Sequence, residues 1–99
     1  MFERLVRGGI RCNQFWANYL PREGRRIEHG ICGMGTDSMV IVAYGNAADR
    51  AAEVAWLTER SRDLGFAPLI VYGDAWAVIC DDGATLSAVQ RILGGTIVT

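Results

Sequence analysis

The chain contains no lysine, and all ten of its basic residues are arginine. Its cations are therefore planar, bidentate donors suited to carboxylate or phosphate partners, although a GC-rich coding background produces the same bias. The missing lysine also excludes a phosphate-binding P-loop, and Gly30, Gly33 and Gly35 do not form a G-x-G-x-x-G fingerprint opening a helix after a strand. Turn chemistry accounts for those glycines, and no cofactor is expected.

Long apolar runs are lacking too. None is longer than Met39 to Tyr44, far short of the roughly 20 residues of a membrane span. Residues 1–10 interleave Glu3, Arg4 and Arg7 with apolar positions and so lack the uninterrupted core of a secretory signal. Neither membrane insertion nor export is expected, and the reading is cytoplasmic. Cys12, Cys32 and Cys80 are odd in number and widely spaced, which predicts reduced thiols and no structural disulfide.

What is present is globular: 99 residues, about half of them apolar, enough for one core and too few for two. Residues 1–99 are read as one domain, with an N-terminal arm over 1–24 and an α/β core over 25–99. Charge is uneven. Residues 1–26 hold six arginines against Glu3 and Glu23, net +4, and residues 27–99 hold four arginines against nine acids, net −5. Such an arm can contact a polyanion through Arg22, Arg25 and Arg26, or fold back on its own domain.

The apolar, β-branched run Met39–Tyr44 predicts a central strand covered on both faces. Asn46 is a fitting N-cap for an alanine-rich helix running to about Leu64 and stopping at Gly65. Pro68–Tyr72 and Ala75–Cys80 read as strands joined by a Gly73–Asp74 turn. Asp82 caps a second helix whose Leu86, Val89, Ile92 and Leu93 share a stripe, ended by Gly94–Gly95 before a short strand at Thr96–Thr99.

The order β-α-β-β-α-β predicts an α+β, ferredoxin-like split β-α-β with both helices on one face. A competing description adds a fifth strand at residues 25–32, hairpinned onto Met39–Tyr44, giving two successive ββα units. In the arm, the apolar pattern from about Cys12 to Leu20 reads as helical up to Pro21, and this segment is the expected cover for the sheet face opposite the helices.

Trp56 carries the strongest functional expectation. With Val54 at the centre of the core stripe, Trp56 lies about 200° away at 100° per residue, among Asp49, Glu53, Arg60 and Asp63. A tryptophan on a charged helix face is a typical interface anchor. The same helix carries Ala48, Ala51, Ala52 and Ala55 on a flank that the second helix would ordinarily cover.

The remaining chemistry is thinner. Cys12, His29, Cys32 and Cys80 supply the residue types of a zinc site, but only His29 and Cys32 are close in sequence and no CxxC pair exists. His29, Cys32 and Glu28 fail as a base, nucleophile and orienter because neighbours on one strand alternate faces. Asp81–Asp82 could hold a hard cation, yet a cap is the commoner role. Tyr44 and Trp76 are candidates for an RNA-stacking sheet surface, which the acidic balance disfavours.

The resulting expectation is a non-catalytic module that occupies a larger protein's surface, in the manner of small phage inhibitors of bacterial defence systems. The alternatives are a homodimeric domain binding a small ligand, and a small acid-base enzyme using His29 or Tyr44.

Overall fold

The computed structural model describes residues 2–9, 14–19, 26–34 and 37–98. The elements are α1 (Phe2–Arg7), β1 (Gln14–Tyr19), β2 (Arg26–Met34), β3 (Asp37–Tyr44), α2 (Ala47–Asp63), β4 (Ile70–Tyr72), β5 (Trp76–Cys80), α3 (Gly83–Leu93) and β6 (Thr96–Ile97). The strands form one sheet in the order β1-β2-β3-β5-β4-β6, and every neighbouring pair is antiparallel.

The local signals act as the sequence implies. Asn46 accepts the Asp49 N–H at 2.8 Å and opens α2. At the other end Gly65 adopts φ 83°, donates to the Arg62 carbonyl at 3.0 Å, and Phe66 donates to the Ser61 carbonyl at 2.8 Å. This paired closure needs a left-handed residue, which glycine supplies without a Cβ penalty. Asp82 caps α3 by accepting from the Thr85 N–H at 2.7 Å and the Thr85 hydroxyl at 2.9 Å. The β4–β5 turn sits one residue later than expected: Gly73 itself donates to the Trp76 carbonyl, leaving Asp74 and Ala75 at the tip.

The chain is α+β, but its strand order is not that of the ferredoxin-like split, in which the last strand would lie beside β3. Here the outer edge of β3 is taken by β2, the extra strand of the competing description, and β6 pairs with β4 instead, Val71 opposite Ile97. Gly95 makes that contact close: a Cβ there would stand 2.5 Å from the Tyr72 carbonyl oxygen.

This displacement moves a helix. Crossovers between parallel strands of one sheet are almost always right-handed. The steps β3→β4 and β5→β6 run toward the same sheet edge, yet β3 and β5 point in opposite directions. With that hand the two helices must fall on opposite faces. The core divides accordingly, correcting the expectation of a single helical face. Met39, Ile41, Val71, Val78 and Cys80 pack with Leu86 and Val89 of α3, whereas Val42, Tyr44, Ile70 and Ala77 pack with Val54 of α2.

The arm also differs from expectation. Residues 14–19 pair with β2 as an edge strand rather than a helix. The run holds Phe15, Trp16 and Tyr19, residue types that favour strands, and a helical period is a weak signal over so short a stretch. The cover comes from α1, whose Leu5 is fully buried beside Val89, and Arg4 donates to the Ile92 carbonyl at 3.2 Å near the end of α3. α1 thus joins α3 on its face, and among the described residues α2 is the helix that covers the other.

Leu86 is 5 % exposed in the α3 layer. Leu86→Ala is expected to cost about 3 kcal/mol in urea unfolding, the range for truncating a buried leucine.

Candidate functional site

With α3 on the far face, α2 has no helical companion among the described residues, and only Val54 along its 17 residues is buried. Its contacts run to β3 and β5. Most of its surface faces outward, so it carries the features that can meet another molecule.

One flank is apolar and aromatic. Trp56 is 55 % exposed, Leu64 64 % and Phe66 68 %. Trp56, Arg60 and Leu64 follow one another at four-residue spacing, the ridge direction of an α-helix, and the Arg60 guanidinium lies 5.8 Å from the centre of the Trp56 ring. Phe66 stands just past them because the Gly65 closure turns the chain there. Of these, Phe66 lines a groove of about 290 Å³, together with Leu57, Ser61, Leu69, Ile79 and Asp81, among others.

The charges expected around Trp56 separate. Arg60 and Asp63 are exposed beside it. Asp49 accepts from the Asn46 side chain at 3.2 Å and belongs to the helix cap. Glu53 faces the sheet, accepting the Tyr44 hydroxyl at 2.8 Å. The charges around the tryptophan do not point to Leu64 and Phe66, whose exposure the structure adds. The glycine stop signal followed by an aromatic residue was the clue.

The opposite flank of α2 borders a second cleft of about 520 Å³ that reaches β4 and β6. Ala51 and Ala55 lie on it, and α3, the expected cover, is on the other side of the sheet. Arg50 stacks over the Tyr72 ring at 4.5 Å and donates to the Asp74 carbonyl at 3.3 Å.

Other candidates do not converge. Tyr44 and Trp76 belong to opposite faces of the sheet, and Tyr44 is 3 % exposed, so they make no common stacking surface. Arg22, Arg25 and Cys12 lie outside the described residues, while Arg26 and His29 enter through the backbone pairing of β2, opposite Tyr44 and Val42. Cys32 is disulfide-bonded, contrary to the expectation of reduced thiols, and this removes it as a metal ligand. Cys80 is a free thiol in the apolar core. Among the described residues no three His, Cys, Asp or Glu side chains gather to hold a metal ion. Nor does the acidic pair act together: Asp82 caps α3, and Asp81 accepts the Ser38 N–H at 2.7 Å and the Ser38 hydroxyl at 3.2 Å, tying β3 to the end of β5.

No family model, curated protein or solved structure matches the chain. Among the described residues no helix is long and apolar enough to cross a membrane.

Burial, with Asp82 and Asp81 adding repulsion, pushes the Cys80 thiol up to about 12. The thiolate is the reactive form, so Cys80 should resist iodoacetamide at pH 8 in the folded protein and react after unfolding, as peptide mass spectrometry would show. The bonds from Thr85 hold the Asp82 carboxyl below its ordinary value. A depressed carboxylate adds stability above its unfolded pKa and loses it as pH falls through the folded one. Asp82→Asn, which keeps the cap acceptor, should therefore flatten the acid limb of stability measured by urea unfolding from pH 5 down to pH 2.

Proposed function

We propose that this chain is a non-catalytic protein-interaction module that docks on a larger protein through the C-terminal half of α2 and the residues just beyond it. The observation that carries this reading is the exposure of Trp56, Leu64 and Phe66 on one side of a helix whose own attachment uses little apolar surface. Exposed single apolar residues are ordinary. Three large ones at one end of a helix, Phe66 among them lining a groove, suit an interface core, with Arg60 and Asp63 as a polar rim.

The stacked Trp56–Arg60 pair supports the same reading. Tryptophan and arginine dominate interface hot spots, and a guanidinium on the ring holds it ready at a lower ordering cost. An inhibitor that occludes a partner's working surface would use such a patch. The acid-base enzyme reading relied on His29 or Tyr44, and the Tyr44 hydroxyl is engaged with Glu53 inside the α2 layer.

The test pairs two measurements on a Trp56→Ala/Phe66→Ala variant. Both side chains are mostly in solvent, so urea unfolding should stay within about 1 kcal/mol of the parent. Affinity for the protein retained from host extract should fall at least about 100-fold. Unchanged retention would refute the site, and a chain that sediments as a dimer only while Trp56 is intact would make the patch a homodimer contact.

A further inference from the structure

The cleft on the alanine flank of α2 has a backbone wall. Val98 donates to the Ile70 carbonyl at 2.9 Å, and Thr96 stands opposite Tyr72. Because hydrogen-bonded pairs alternate along an antiparallel ladder, Ile70–Val98 and Tyr72–Thr96 are the bonded pairs. Ile97, between them, turns its N–H and C=O away from β4. Among the described residues no strand lies on that side of β6.

The helical wall is shaped to admit a chain. Ala51 and Ala55 present only methyl groups toward the cleft, with Val54 and Val98 deeper. Arg50 and Arg62 line it at its two ends and Glu59 sits between, a net positive balance within a domain body that is otherwise acidic. Twelve residues of helix separate the arginines by about 18 Å, the span of about five residues of extended chain.

We propose that the cleft between α2 and β6 binds an extended acidic peptide, which joins the sheet along the free edge of β6. Its backbone pairs with the N–H and C=O of Ile97. Alternate side chains then project into the cleft, where carboxylates meet Arg50 and Arg62 in the planar, two-point geometry that guanidinium favours. Exposed edges are templates for strand addition unless charge, proline, a bulge or shortness of the strand blunts them; β6 is short, with two residues, but Thr96–Ile97 carries no charge, proline or bulge. A small anion would use the arginines but leave the Ile97 groups unused, so the peptide accounts for more of the cleft. This site lies on the flank opposite Trp56 and does not depend on the docking surface proposed above.

The test is selection of a randomised eight-residue peptide library on the full chain, followed by fluorescence anisotropy with the most enriched peptide. Enriched sequences should be rich in Asp and Glu, and binding should weaken as salt rises. Arg62→Glu should lower affinity at least about 10-fold. Ile97→Pro, which removes the outward N–H at an edge where proline is tolerated, should do the same. If that variant unfolds, N-methylation of alternate peptide amides tests the same bonds on the unaltered protein and should abolish binding in one of the two alternating sets. Trp56→Ala should leave the affinity unchanged. The proposal is overturned if no peptide is enriched, if enriched peptides are not acidic, if neither N-methyl set weakens binding, or if inorganic phosphate alone displaces the peptide at equal concentration.

Discussion

The pairing of β2 with the outer edge of β3 is the constraint on which the rest of this molecule depends. It closes the position that a four-stranded split β-α-β would give its last strand, so β6 must extend the sheet beyond β4. Because crossover hand is fixed by strand twist, that one change of edge sends α3 to the face opposite α2. The sheet is then buried on both sides, consistent with the unbroken apolar run of β3, whose Met39 and Ile41 face one layer and Val42 and Tyr44 the other.

The two layers are unequal, and the proposed function rests on the inequality. α3 is assisted by α1, through Leu5 and the bond from Arg4 to Ile92. Among the described residues α2 has no helical neighbour on its face, and it rests on Val54, the half-buried Leu57, the Tyr44–Glu53 bond and the contacts of Arg50 with Tyr72 and Asp74. A helix held by so narrow a contact leaves both flanks open. One carries Trp56, Leu64 and the groove toward Phe66. The other carries alanines and a cleft along β6.

Much of this was legible in the sequence where local chemistry decides. Asn46, Asp82, Gly65 and Gly94 mark helix ends by mechanisms that act within a few residues, and they lie where that chemistry puts them. The β2–β3 hairpin was visible as an alternative because a glycine-rich segment, Gly33 to Asp37, separates residues 25–32 from the apolar run Met39–Tyr44. The faces of the helices were not legible, since they depend on which edge β6 joins, and no residue of β6 states that. The arm failed for another reason: the segment ending at Leu20 satisfies a helical and a strand pattern about equally, and pairing with β2 decides between them. The outward position of Trp56 was legible because its angular position is a property of α2 alone, and that of Phe66 was not, because its exposure depends on how the chain leaves the helix.

The most direct test of this account is a nuclear Overhauser measurement on the isotopically labelled chain, read at β6. Val71 and Ile97 stand opposite each other as a non-hydrogen-bonded pair, which brings their Hα atoms close. A strong Val71–Ile97 Hα contact is expected, together with methyl contacts from Val54 to Val42 and from Val89 to Val78. Contacts from Ile97 to β3, with Val54 and Val89 reporting the same face of the sheet, would contradict it.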